Sequence, residues 1–223
     1  MKRPLIINFK NYEEVSSDRA IKLAEAAQEV AEKLKIEIVV APPQPVLALI
    51  AKKFRIPVIC QHVDNEKMGP STGFIVPEIA KSYGAIGSLI NHSEHRIERN
   101  SIASLVERLR KLGMTSIVCA QEPREVVEIS TLQPDFVAIE PPELIGSGRA
   151  VSKENPAIIT KSIEAAGSRS KVICGAGITD KDDVAKAMEL GSQGILVASG
   201  IVKAITWEKK IAELASGMKR NAT

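Results

Sequence analysis

The chain has 223 residues, of which 44% are apolar and 26% charged, a composition that suits one globular domain with a sizeable core. A net charge of +3, aromatics at 3% and no Lys/Arg cluster interleaved with aromatics argue against nucleic acid as a partner. No apolar run approaches the roughly 18 residues that span a bilayer, and the short run after Met1-Lys2-Arg3-Pro4 is too brief for a signal-peptide core, so a cytoplasmic protein without membrane contact is expected.

The first apolar run, Leu5-Ile6-Ile7, gives way at once to Asn8. Residues 18–34 place apolar side chains at Ala20, Leu23, Ala24, Ala27, Val30, Ala31 and Leu34, the spacing of an amphipathic helix. Ile38-Val39-Val40 and Val58-Ile59-Cys60 are the second and third runs, and a helix over 77–83 precedes the fourth run, 86–90. Ile102, Leu105, Val106, Leu109 and Leu112 predict a helix over 101–112, with Gly113 as its stop. Then come the run Ile117-Val118-Cys119, a helix over 123–131, the run Phe136-Val137-Ala138-Ile139 and a helix over 155–166. After Val172-Ile173-Cys174, the segment Thr179-Asp180-Lys181-Asp182 opens a helix with a cap-like residue and early acids, and Gly191 ends it. The last run, 194–197, is followed by a helix over 207–218.

These runs number about eight, and they are continuous rather than alternating, as expected of parallel strands covered on both faces. Strand–helix alternation requires right-handed crossovers, and about eight such units close into an α/β (β/α)₈ barrel. An open doubly wound sheet is the alternative, but the glycine-rich GxGxxG turn is missing after the first run. No repeat, low-complexity tract or linker divides the chain, so a single domain over 1–223 is expected. Cys60, Cys119 and Cys174 lie far apart, each in an apolar run and without CxxC spacing. They read as small buried hydrophobes of a reducing compartment, with no disulfide and no metal.

In such a barrel the chemistry gathers at the carboxyl ends of the strands. The runs end in Asn8-Phe9-Lys10-Asn11, Gln61-His62, Asn91-His92-Ser93-Glu94, Glu140, Gly175-Ala176-Gly177 and Ala198-Ser199-Gly200. Each has a plain structural reading: Asn8 and Lys10 turning to solvent, His92 as a satisfied histidine, Gly175 and Gly177 as a tight turn. A carboxylate at Glu140, directly after a buried run, is costly unless paired or useful. Collected at one rim, the set holds a carboxylate, an imidazole, an ammonium and glycines that expose backbone.

Three of these segments resemble one family. Asn8-Phe9-Lys10 resembles the Asn-aromatic-Lys signature of triosephosphate isomerases, Asn91-His92-Ser93-Glu94-His95-Arg96 their His-Ser-Glu-x-Arg segment, and Ile139-Glu140-Pro141-Pro142 with Ile145-Gly146-Ser147-Gly148 their Glu-Pro hinge and lid. The motifs stand in family order and the resemblance runs over nearly the whole chain. The variant looks archaeal. The chain is shorter than the common form, Pro-Pro-Glu replaces Pro-Val-Trp in the hinge, Asn91 stands where Gly is usual, and Val197-Ala198-Ser199-Gly200 lacks the usual Gly-Gly pair.

The resemblance implies a TIM barrel that interconverts dihydroxyacetone phosphate and D-glyceraldehyde 3-phosphate through an enediol(ate), in glycolysis and gluconeogenesis, with no cofactor. It makes Glu140 the base, His92 the electrophile, Lys10 a fixed positive charge, Asn8 a neighbouring donor and Glu94 the partner of the lysine. Phe9 enters the substrate site with its motif. Ser93-Glu94 is expected to open a short helical turn whose N-terminus disfavours positive charge on the ring. Backbone N–H groups of Gly146, Gly177, Ala198 and Ser199 are the candidate phosphate donors, with Ile145 on a lid. The segment 141–152 is long for a βα loop; its prolines stiffen one end, while Gly146 and Gly148 permit motion. His92 and His95 lack matched ligands, so no zinc site is expected. In the family the loop corresponding to 63–74 enters a neighbouring subunit with a Thr-Gly tip, here Thr72-Gly73. A homo-oligomer is therefore implied, a tetramer ahead of a dimer. Two competing readings are a different sugar-phosphate isomerase or epimerase barrel and a non-enzymatic barrel that binds a phosphorylated ligand.

Overall fold

The computed structural model describes residues 1–218. In chain order the elements are β1 (Leu5–Asn8), α1 (Arg19–Leu34), β2 (Ile38–Ala41), α2 (Gln44–Lys53), α3 (Pro77–Ser82), β3 (Gly87–Ile90), α4 (Arg99–Lys111), β4 (Thr115–Ala120), α5 (Pro123–Ser130), β5 (Phe136–Ile139), α6 (Val151–Glu154), α7 (Pro156–Ala166), β6 (Lys171–Cys174), α8 (Lys181–Glu189), β7 (Ile195–Val197), α9 (Ser199–Val202) and α10 (Trp207–Gly217). The strands form one parallel sheet in the order β2-β1-β7-β6-β5-β4-β3. Pairing of β1 with β7, Leu5 opposite Ile195 and Ile7 opposite Val197, joins the beginning of the chain to its end.

The two outer strands of that order, β2 and β3, are bridged by the third apolar run. Expected as a full strand, this run makes one bridge to each side, Val40–Val58 and Cys60–Ser88. It is short and follows Pro57, which has no N–H to extend a ladder. Ile59 N–H still donates to Val40 O (2.9 Å) and Cys60 N–H to Gly87 O (2.9 Å), so the sheet closes on itself as a (β/α)₈ TIM barrel.

Two apolar layers follow from the period of two along each strand. Ile6, Val39, Ile59, Leu89, Ile117, Phe136, Ala138, Ile173 and Leu196 fill the barrel interior. Leu5, Ile7, Val40, Ile90, Val118, Val137, Ile139 and Val197 face outward and pack under the helices, for instance against Leu23 and Ala27 of α1 and Leu105 and Leu109 of α4. Full burial of each such Leu, Ile or Phe stabilises the fold by about 1.5–3 kcal/mol before entropy is counted. Helix α2 was not expected. Its signal is modest: Pro45 in the first turn, then Leu47 and Ile50 as the only buried side chains. The one-turn helices α6 and α9 are too short for periodicity to reveal. Among the described residues no helix is long and apolar enough to cross a membrane.

The expected cap at 179–182 is a capping box. The Asp180 carboxylate accepts from Asp183 N–H (2.7 Å) and the Asp183 carboxylate accepts from Asp180 N–H (3.1 Å). The box also anchors the chain segment after β5. Lys153 Nζ lies 2.6 Å from Asp183 Oδ1, and Ser152 Oγ donates to Asp183 O at 3.0 Å. Burial raises the Asp183 pKa, but the Lys153 ammonium and the Thr179 and Asp180 donors outweigh it and hold the carboxyl below its ordinary range. A carboxyl depressed on folding contributes stability above its unfolded pKa of about 3.9, and that contribution is lost as pH falls through the folded value. Asp183→Asn is therefore expected to lower the urea midpoint at neutral pH, with the gap to the parent chain narrowing below about pH 4. A gap that stays constant down to the acid transition would contradict this account.

Candidate active site

On β1 and β5, strand periodicity decides which strand-end side chains enter the barrel mouth. On β5, Phe136 and Ala138 point inward, so position 140 does too. On β1, Ile6 points inward and Asn8 follows it, whereas Leu5, Ile7 and Phe9 lie in the outer layer. Asn8, Lys10, His92, Glu140, Ile145, Gly146, Gly177, Ala198 and Ser199, nine of the residues predicted from the sequence, line one cavity. Ala176, Ile178, Leu196, Val197 and Gly200 complete its wall. Phe9 is a correction: its ring is fully buried under the helices because odd positions of β1 face outward, and it does not line the cavity. Glu94 is not on this wall either. It lines the neighbouring cavity and reaches the site through Lys10, with Oε1 2.6 Å from Nζ.

Lys10 is held in a left-handed backbone conformation, φ 48°, which costs a non-glycine residue of order 1 kcal/mol. Two side chains sustain it. Asn8 Oδ1 accepts the Lys10 N–H (3.0 Å), and Gln61 Nε2 donates to Lys10 O (2.9 Å) and to Ala41 O (3.1 Å). The ammonium is thereby aimed across the mouth with only a tenth of its side chain exposed. Gln61 stood among the strand-end residues of the sequence; its work on the lysine backbone depends on long-range pairing that local pattern does not show.

The segment after β3 forms a hydrogen-bonded turn rather than the expected helical one, with His95 N–H donating to His92 O (2.8 Å) and α4 starting later, at Arg99. The turn aims the Glu94 N–H at His92 Nδ1, 3.1 Å away. A backbone N–H can only donate, so Nδ1 is the acceptor nitrogen and Nε2 carries the hydrogen. Nε2 lies 3.5 Å from Glu140 Oε2. The His95 ring stacks on His62 instead, centroids 3.9 Å apart.

Glu140 is 6% exposed, and its Oε2 has no hydrogen-bond partner among the described residues. Room for it is made by Gly175, its neighbour across the β5–β6 pairing: a Cβ there would sit 2.5 Å from Glu140 Cγ. Gly177, at φ 71°, does the same for the segment after β5, since a side chain would strike the Arg149 carbonyl. Cys119 and Cys174 are buried free thiols. Burial, reinforced by the Glu140 charge, pushes both up, and burial brings Cys60 to about 11, so all three stay protonated.

A buried carboxylate, an N–H donor beside it, an ammonium and glycine-rich loops therefore meet at one small cavity. The family model for triosephosphate isomerase matches residues 4–215. The chain belongs to the triosephosphate isomerase family. It is 50% identical to the triosephosphate isomerase of Cenarchaeum symbiosum over 216 residues, covering 96% of this chain and 97% of that one. It is 47% identical to that of Caldivirga maquilingensis (96% and 97% covered) and 43% identical to that of Methanothermus fervidus (98% and 100% covered). All three relatives are archaeal, in line with the shortened chain and altered hinge.

The Gly175 contact yields a test within this triosephosphate isomerase fold. Gly175→Ala is expected to displace the Glu140 carboxylate and lower turnover by about 100-fold, at a stability cost of about 1–3 kcal/mol. Steady-state kinetics beside thermal unfolding measure both; unchanged turnover would mean that Glu140 does not act from this position.

Proposed function

We propose that this chain moves a proton between adjacent carbons of a triose phosphate, interconverting dihydroxyacetone phosphate and D-glyceraldehyde 3-phosphate through an enediol(ate). The observation that carries the reading is the His92–Glu140 pair. Deprotonating a carbon beside a carbonyl needs a base for the carbon-bound proton and a donor for the charge that develops on oxygen. Glu140, buried and with a free oxygen, suits the first role. His92, with Nδ1 occupied by the Glu94 N–H, presents Nε2–H for the second.

Lys10 supplies positive charge to the enediolate and the phosphate, and Asn8 adds a donor beside it. Glu94 binds one of the three ammonium hydrogens, leaving others for substrate. The phosphate rests on backbone N–H groups of Gly146, Gly177, Ala198 and Ser199. All four line the cavity, and loops after the last two strands are the usual phosphate position of this fold. Ile145, Ile178 and Leu196 make an apolar wall that keeps water off the intermediate and strengthens the charges around it. The segment 141–150 acts as the lid, its far end pinned by Lys153 and Ser152 to Asp183.

A coupled assay on glyceraldehyde 3-phosphate tests the roles. Glu140→Gln and His92→Gln are each expected to lower turnover by about 10²–10⁴-fold with little loss of triose phosphate affinity. Parent-like turnover in Glu140→Gln would end the reading.

The same reading includes a cytoplasmic homotetramer. Three buried free thiols suit a reducing compartment. The loop 63–74 exposes Met68 (63%) and Phe74 (52%), and Ile75, which follows it, lines the cavity formed by Lys10, Gln61, His62 and His95, a surface suited to a second copy of the chain. Sedimentation at micromolar concentration is expected to give four times the 24.1 kDa chain mass. A fully active single-chain species would exclude this assembly.

A further inference from the structure

Asn91 has no part in the reaction as described, yet it is fully buried and sits at φ 61°, immediately before His92. Its side chain makes three contacts. Nδ2 donates to Cys119 O on β4 (3.1 Å) and to Glu125 Oε1 on α5 (3.3 Å), while Oδ1 accepts from Ile97 N–H (3.1 Å). Glu125 in turn binds the Arg96 guanidinium and the Gln121 N–H (2.7 Å). One amide thus ties both ends of the turn 92–97 to the carboxyl end of β4. The next residue of β4, Ala120, accepts the Glu140 N–H through its carbonyl (2.8 Å). His92 and Glu140 are therefore referred to the same short stretch of backbone, the first through Asn91 and the second directly.

We propose that Asn91 is a positioning residue for the isomerisation: its amide, braced by Glu125 and Arg96, sets the separation and aim of His92 Nε2 relative to the Glu140 carboxylate. This rests on the roles given above to His92 and Glu140. Asparagine suits the position on two counts. It tolerates the left-handed backbone better than most residues, and it offers a donor and an acceptor in one short side chain. A buried amide with three contacts is also a stiff support, since releasing it would leave buried polar groups unpaired. A shift of about 1 Å in a catalytic group costs up to about 100-fold in rate, so bracing at this point matters more for the rate than for holding the substrate.

The variant that isolates the amide is Asn91→Gly, because glycine adopts φ 61° freely and the turn keeps its backbone route. Expected is a fall in kcat of about 10- to 100-fold with KM within about threefold. Affinity for a phosphate-bearing enediolate analogue should fall by the same factor as kcat, and affinity for inorganic phosphate should hold. A kcat equal to that of the parent chain overturns the proposal, as does an equal loss of affinity for both ligands, which would indicate a merely collapsed pocket. Should Asn91→Gly fail to fold, Glu125→Ala decides: it removes the carboxylate that braces the Asn91 amide, and turnover is expected to fall by about 10-fold while affinity for inorganic phosphate holds. A kcat equal to that of the parent chain overturns the proposal. If the parent chain itself shows no isomerase activity, or Glu140→Gln is as active as the parent, the failure lies with the function and not with Asn91.

Discussion

Parallel pairing of the first strand with the last, Ile6 opposite Leu196, is the constraint on which the site depends. It closes the sheet, and closure is what brings Lys10, near the start of the chain, to the same cavity as Ala198 and Ser199 near its end. Once the ring is closed, every inward position at the carboxyl rim faces every other. The alternation of side chains then acts as a selector. Asn8 and Glu140 continue inward rows whose earlier members, Ile6 and Ala138, fill the interior, whereas Phe9 continues an outward row and joins the core under the helices. Cavity-lining and structural residues are separated by one step along the same strand.

The polar rim is costly to assemble, and the neighbouring residues show how it is sustained. Glu140 fits because Gly175, beside it in the sheet, has no side chain to occupy the space. Lys10 keeps a left-handed backbone because Asn8 and Gln61 bind its N–H and its carbonyl. His92 keeps its hydrogen on Nε2 because the following turn presents the Glu94 N–H to Nδ1. In each case a cavity-lining group is oriented by the residues beside it, as expected where electrostatic stabilisation depends on preorganised groups rather than on raw charge. The segment after β5 is held in a similar way, its far end fastened to the capping box of α8.

Much of this was legible along the chain. Apolar runs of three to five residues separated by amphipathic stretches identified seven of the strands and the longer helices, because burial on two faces and on one face leave different periods. The polar residues that end those runs are nearly all found around one mouth. Helix α2 escaped because only Leu47 and Ile50 are fully buried in it, too few to make a period. The third run is weaker than its composition suggests, since Pro57 removes a donor where a ladder would begin.

By itself the sequence determined the alternation of strands and helices, the carboxyl-end placement of Asn8, Lys10, His92 and Glu140, and the family, because these depend on local composition and on order along the chain. Only the tertiary structure decided that Phe9 faces away, that the imidazole hydrogen sits on Nε2, and that Gln61, Gly175 and Asn91 lie against Lys10, Glu140 and the turn after β3. Apart from Phe9, which follows strand alternation, those outcomes arise from contacts between residues 28 to 51 positions apart or from a single hydrogen bond's direction. A pattern read along one strand carries no information about what another strand brings against it.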